Sequence, residues 1–239
     1  MNKLIAVLAV VLVAGGAAAF VWWPKTVGSE TVAAMPSVTM STPMGQSKDP
    51  NDPGEKRFRN GLYPEALGYW EREAAKGNPQ AAHRLGVEYQ DGKPGVAQRD
   101  YARALKYHMQ AAAAGNALSM FDLGSMHEAG LGVDKNIVEA ARWYGNSARY
   151  GLAQGQYNYA TMLERGDGVA RDDVEAYKFY VLAARGGFTG VPYDNSSLKI
   201  DRNAPTPAEA MQRRLSAAQV ADGRARADGF KPEVGPLKL

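Results

Sequence analysis

From about residue 60 onward, apolar residues recur at three- and four-residue intervals, the spacing of one helix face, and the runs are punctuated by glycine-rich turns. The pattern repeats. The segments Gly77-Asn78-Pro79-Gln80-Ala81-Ala82-His83-Arg84-Leu85-Gly86, Gly115 to Leu123-Gly124 and Gly151 to Tyr159-Ala160 align without gaps, starting 38 and then 36 residues apart, with Gly187 a further 36 along. The second halves align too, through Ala104, Ala140 and Ala176, then Tyr107, Trp143 and Phe179, then Ala112, Ala148 and Ala184. Small, aromatic, small is the signature of an interlocking face. Between the halves lie Asp91-Gly92-Lys93-Pro94-Gly95-Val96, Ala129-Gly130-Leu131-Gly132-Val133 and Arg165-Gly166-Asp167-Gly168-Val169, where positive φ is available for a chain reversal. The first of these turns is two residues longer, which accounts for the period of 38.

Asp100, Asn136 and Asp172 each precede an apolar-periodic run, where a side-chain acceptor is needed to cap free backbone N–H groups. Each unit therefore reads as helix, glycine turn, capped helix. One such hairpin cannot bury its own apolar face, so neighbours must stack, and the expected fold is all-α, a short right-handed α/α solenoid. Leu85, Leu123, Tyr107, Trp143 and Phe179 are its expected core. Upstream, Pro64–Lys76 matches a second helix, and Phe58 with the Asn60-Gly61 turn suggests a short first one. Downstream, residues 190–205 read as an irregular insertion, followed by helical pattern at Pro207–Leu215 and from Ser216 to about Asp228. The expected organisation is an N-terminal segment at 1–25, a linker at 26–52, the repeat solenoid at 53–187, the insertion at 188–206 and capping helices with a tail at 207–239.

The N-terminal segment has a different character. Leu4 to Trp23 is an uncharged stretch of 20 residues, which at about 1.5 Å per helical residue spans roughly 30 Å, the thickness of a bilayer core. Trp22-Trp23 and Pro24-Lys25 suit an uncleaved anchor, whereas Ala17-Ala18-Ala19 suits signal-peptide cleavage near Ala19; the anchor is the favoured reading. Lys3 ahead of the segment places the remainder outside the cytoplasm, which predicts a bacterial inner-membrane protein with its repeats in the periplasm, or a soluble periplasmic one after cleavage. Thr26 to about Asp52, rich in Ser, Thr, Pro, Gly and Met, reads as a flexible tether.

Composition narrows the chemistry. A net charge of +3 with basic and acidic residues interspersed argues against nucleic acid as partner. The chain contains no cysteine, which removes disulfides, thiol nucleophiles and cysteine-based zinc sites. His83, His108 and His127 are assigned to different repeats and faces, none paired at ligand spacing, so no metal site is expected. The Gly-x-Gly sequences recur as interhelical turns with no preceding strand, which speaks against phosphate binding. Glu128 lies in the second unit and Glu164 and Asp167 in the third, and these carboxylates read as a solvated face. No catalytic residue and no cofactor are expected.

The motifs Ala-x₃-Leu-Gly-x₂-Tyr, Gly-x-Gly-Val and Glu-Ala-x₂-Trp-Tyr-x₃-Ala resemble those of the Sel1-like repeat family, relatives of the tetratricopeptide repeat, over roughly Gly77 to Gly187. The third unit departs, with Tyr159-Ala160 in place of Leu-Gly and Leu163 in place of Tyr. In the related tetratricopeptide fold the first helices of successive units line the concave side of the stack. Carried over by position, the resemblance implies a groove of His83, Val87 and Gln90, then Phe121, Ser125 and Glu128, then Tyr157, Thr161 and Glu164, suited to a partner protein or peptide. Phe121 and Tyr157 have a competing role in packing. The function expected is an adaptor or scaffold of the bacterial envelope. An immunity protein neutralising a secreted lipase-type effector is the alternative, and an envelope hydrolase ranks last.

Overall fold

A computed structural model describes residues 51–189, 193–194, 199–200 and 205–237. The apolar N-terminal segment, nearly all of the tether and most of the 190–205 insertion lie outside the described residues. Among those described are ten helices: α1 (Pro53–Arg59), α2 (Tyr63–Ala75), α3 (Pro79–Asp91), α4 (Tyr101–Ala113), α5 (Ala117–Ala129), α6 (Ile137–Arg149), α7 (Ala153–Arg165), α8 (Asp173–Arg185), α9 (Pro207–Gln212) and α10 (Ala217–Asp228). One antiparallel pair of two-residue strands, β1 (Tyr193–Asp194) and β2 (Lys199–Ile200), lies in the insertion, with Tyr193 opposite Ile200. No described helix is long and apolar enough to cross a membrane.

The helices form hairpins that stack in chain order: α1 with α2, α3 with α4, α5 with α6, α7 with α8, and α10 closing against α8. Each helix from α2 to α8 has 13 residues, so successive hairpins meet over equal lengths. The first helices α3, α5 and α7 also touch one another in sequence, which puts them on the inner side of the stack.

Local chemistry explains the regularity. Asp100 accepts from the Arg103 amide, and Asn136 and Asp172 each accept from two amides of the next turn, so α4, α6 and α8 start where orphan donors are satisfied. Asn78 and Asn116 do the same for α3 and α5. The first helix of each unit stops at a left-handed glycine, Gly92, Gly130 or Gly166, whose N–H bonds back to Glu88, Met126 or Met162. One further bond closes each turn: Asp100, Asn136 and Asp172 donate their amides to the carbonyls of Tyr89, His127 and Leu163.

The core alternates alanine with large side chains. Ala104, Ala140, Ala176, Leu85 and Leu123 are fully buried, with Trp143 and Phe179 nearly so. A cation lies over the aromatic of each second helix, Lys106 on Tyr107, Arg142 on Trp143 and Lys178 on Phe179. Tyr107, expected in the core, is only half-buried, because its unit abuts the shortened α1–α2 hairpin; its ring stacks instead on Tyr89, centroids 5.8 Å apart. The irregular third unit is compensated locally. Tyr159 meets Phe179 edge-on at 5.3 Å, and Gly145 on α6 leaves room for it, since a Cβ there would lie 3.1 Å from the ring.

The segment after α10 turns back along the stack. Phe230 packs on Phe179, the Glu233 amide donates to the carbonyl of Arg149, and the Leu237 amide donates to that of Ala113. Those carbonyls belong to the last turns of α6 and α4, which have no intrahelical partner, so the tail caps two units in succession. Leu237 joins the cluster of Ala112, Met120, Leu123 and Trp143.

Candidate functional site

The nine expected groove positions lie on α3, α5 and α7 at matching offsets, and the structure gives them a second set of neighbours. In the second and third units the aromatic of the first helix rests on a tyrosine of the second: Phe121 on Tyr144 and Tyr157 on Tyr180, both with centroids 5.5 Å apart. The Tyr144 hydroxyl donates to Glu128 Oε2 at 2.8 Å, and Tyr180 donates to Glu164 Oε2 at the same distance. Thr161 Oγ1 lies 3.0 Å from the Tyr180 hydroxyl, and Ser125 and Asn158 hydrogen-bond that of Tyr144. Burial and the adjacent carboxylates push both phenols above their ordinary range, so each stays a neutral donor. Glu164 also pairs with Arg214, just beyond α9. Phe121, Ser125, Glu128, Tyr157, Thr161 and Glu164 are therefore half-buried parts of a repeated brace between the two helices of a unit, with one edge left to the inner surface. Val87 and Gln90 are half-buried as well.

The first unit breaks this pattern. At the positions of Phe121 and Tyr157 it has His83, and at those of Tyr144 and Tyr180 it has His108, with ring centroids 5.7 Å apart. Ser119 Oγ sits 3.0 Å from His83 Nδ1 and 3.3 Å from His108 Nδ1. Asp122 Oδ2 lies 3.4 Å and 3.6 Å from the same two nitrogens. His83 is 7% exposed and His108 fully buried. Burial, together with the neighbouring His83, pulls His108 well below the usual histidine range, and burial with the field of Asp91 pushes the Asp122 carboxyl up to about 7.

This corrects two expectations. His83 is buried and not open on the inner surface, its ring closed in by His108 and Ser119. Nor do the histidines all fall in different repeats: His83 and His108 share one hairpin, on facing helices, and the next helix delivers Asp122 to them. The readable signal was a comparison of units column by column, in which two aromatic positions turn to histidine together and only in the first unit.

Sequence reading also missed a buried charged group beside this cluster. Arg84 Nε lies 2.8 Å from Glu55 Oε1 of α1, and its Nη1 lies 2.6 Å from Glu88 Oε1; the guanidinium stacks between Phe58 and Trp70, 4.6 and 4.8 Å from the ring centroids. It ties the shortened hairpin to the first full unit. Two shallow hollows, of about 420 and 520 Å³, lie between α9 and α10 and at the 92–99 turn, away from the inner helices.

The family model for the Sel1 repeat matches residues 79–116, 117–151 and 153–188. Among curated proteins the chain is similar to two components of ERAD-associated E3 ubiquitin-protein ligase in Arabidopsis thaliana, HRD3A and HRD3B, each 38% identical over 74 residues. That stretch is 31% of this chain and only 11–12% of those proteins. Among solved structures, a Sel1 repeat protein from Oxalobacter formigenes is 31% identical, covering 51% of this chain and 90% of that one at a TM-score of 0.47. A protective antigen of uropathogenic Escherichia coli is 20% identical, covering 74% of this chain and 45% of that one at a TM-score of 0.38.

Proposed function

We propose that this chain, whose three Sel1 repeats make it a member of that helical-repeat family, is a non-catalytic adaptor of the bacterial envelope that holds a segment of a partner protein along α3, α5 and α7. The observation that carries the reading is the repeated brace. Tyr144–Glu128 and Tyr180–Glu164 repeat a partly buried carboxylate and an aromatic edge at one interval along α5 and α7, Glu164 being paired with Arg214 as well. A surface that repeats at the spacing of its units suits an extended ligand that runs across them, with aromatic edges as anchors and short polar groups reading the backbone. Export is supported by the uncharged segment Leu4–Trp23 behind Lys3, which has the length of a membrane span and a weak positive-inside bias.

The test is affinity capture by the full chain from envelope extract, beside the variant V87R/E128Q/E164Q. Glutamine keeps an acceptor for each tyrosine hydroxyl, so the variant retains its brace and its helical circular dichroism while losing charge and open surface. A protein held by the native chain, lost by the variant and rebinding as a purified pair supports the reading. Equal capture by both would move the interface off the inner helices. Capture of nothing would remove the adaptor role.

A further inference from the structure

We infer that His83, His108 and Asp122 form a binding site for a divalent transition-metal ion of the zinc type, where the first repeat meets the second. Geometry is the first reason. Ligand atoms bonded tetrahedrally at about 2.0–2.1 Å stand about 3.3–3.4 Å from one another. Asp122 Oδ2 is 3.4 Å from His83 Nδ1 and 3.6 Å from His108 Nδ1. Ser119 Oγ, a neutral oxygen, lies 3.0 and 3.3 Å from those nitrogens. The three ligand atoms of His83, His108 and Asp122 all lie within 4.8 Å of one another. Two imidazoles and a carboxylate are a donor set matched to zinc and its first-row neighbours, and poorly matched to calcium or magnesium.

The second reason is the departure from the repeat. Units two and three show what the fold uses at this place when only packing is asked of it: an aromatic, a tyrosine and, in the third unit's equivalent of Asp122, Asn158. Replacing all three by ionisable ligand residues puts polar atoms where desolvation is costly. Asp122 Oδ2, one of the ligand atoms, is buried with no hydrogen-bond partner among the described residues, beside the fully buried His108. A cation held between the two imidazoles and the carboxylate would offset that cost. The site is also held in place. A Cβ at Gly86 would lie 2.6 Å from the His108 ring, so the imidazole sits directly on the backbone of α3, just as Tyr144 sits on Gly124. Of the three side chains, Asp122 is the most exposed, at 21%.

The test uses the full, untagged chain titrated with cobalt(II), whose visible absorption is intense only in tetrahedral sites, followed by displacement with zinc. Two variants borrow the residues of the other units, H83F/H108Y and D122N, and so suit the local packing; H127Q controls for the remaining histidine. The native chain and H127Q are expected to take up one ion per chain with tetrahedral bands that zinc abolishes. Each of the other two variants is expected to bind at least about tenfold more weakly, as loss of a ligand must cost no less than loss of its supporting shell. No stoichiometric uptake by the native chain would overturn the assignment. So would undiminished uptake by D122N and H83F/H108Y, or loss of uptake in H127Q.

Discussion

Arg84 is the side chain whose removal the structure prices most directly. It is 6% exposed, and the two carboxylates beside it, Glu55 and Glu88, are 5% and 0% exposed. Arg84→Met keeps the volume and most of the contact with Phe58 and Trp70 but removes the buried guanidinium that lies against both carboxylates; Lys93 Nζ, 4.0 Å from Glu88 Oε1, is half exposed. Breaking one partner out of a buried ion pair costs about 3–5 kcal/mol, because the remaining charge stays desolvated. Residual attraction from Lys93 places the expected loss near the lower end, about 3 kcal/mol. The triple variant E55Q/R84M/E88Q removes the stranded charges as well and is expected to recover most of that loss.

The deficit has a pH signature. Burial raises the Glu88 carboxyl above its ordinary 4.5, and Asp91 and Glu55 push the same way while Arg84 and Lys93 oppose them. A raised folded-state pKa means that the protonated form favours the fold: the contribution is complete below the unfolded value and is lost as pH rises through the folded one. Without Arg84 the rise is larger. The deficit of R84M should therefore be greatest near pH 8 and shrink as pH falls towards about 5. Urea unfolding followed by helical circular dichroism measures it at both ends. Because α1 to α3 and the α7–α8 hairpin lie at opposite ends of the described stack, hydrogen exchange should quicken in α1, α2 and α3 and stay unchanged in α7 and α8. A loss under about 1 kcal/mol near pH 8, or the same loss at both pH values, would refute the account of Arg84 as the counter-charge of two buried carboxylates.

Three further outcomes are expected. Gly124→Ala would set a Cβ 2.7 Å from the Tyr144 ring and should cost about 1–3 kcal/mol in chemical denaturation, whereas Gly68→Ala, at the middle of α2 with only the Arg72 side chain at 3.6 Å, should gain about 0.5–1 kcal/mol. Truncation after Phe230 removes the caps on Arg149 and Ala113 and uncovers Trp143; a lower melting temperature and a red-shifted tryptophan emission are expected, and unchanged values of both would deny the tail a structural role. Tyr144→Phe strands Glu128 at the inner surface and should cost about 1–2 kcal/mol by the same unfolding assay, with no change expected if the brace were merely incidental.

The fold was legible because it is periodic. Gly77, Gly115 and Gly151, the caps Asp100, Asn136 and Asp172, and the small–aromatic–small columns each carry a local requirement, either a positive φ, an orphan amide or a close helix contact, and the requirement returns with every unit. The closing helix was legible for the same reason, since Ser216 and Gln219 form a capping box that needs nothing distant. What the chain does at single, non-repeating places was not. Arg84 lies on a helix face where an arginine ordinarily stays solvated, and only the arrival of Glu55 and Trp70 from the shortened hairpin buries it. The tail from Phe230 to Leu237 has no periodicity, and its partners, the last carbonyls of α6 and α4, are defined by where those helices end in space. His83, His108 and Asp122 come from three successive helices, and their Nδ1 and Oδ2 atoms meet because the first hairpin closes on itself and the second then stacks on it. Periodicity along the chain specifies local geometry; the convergence of unlike side chains depends on the sum of many small packing choices, and that sum exists only once the hairpins are stacked.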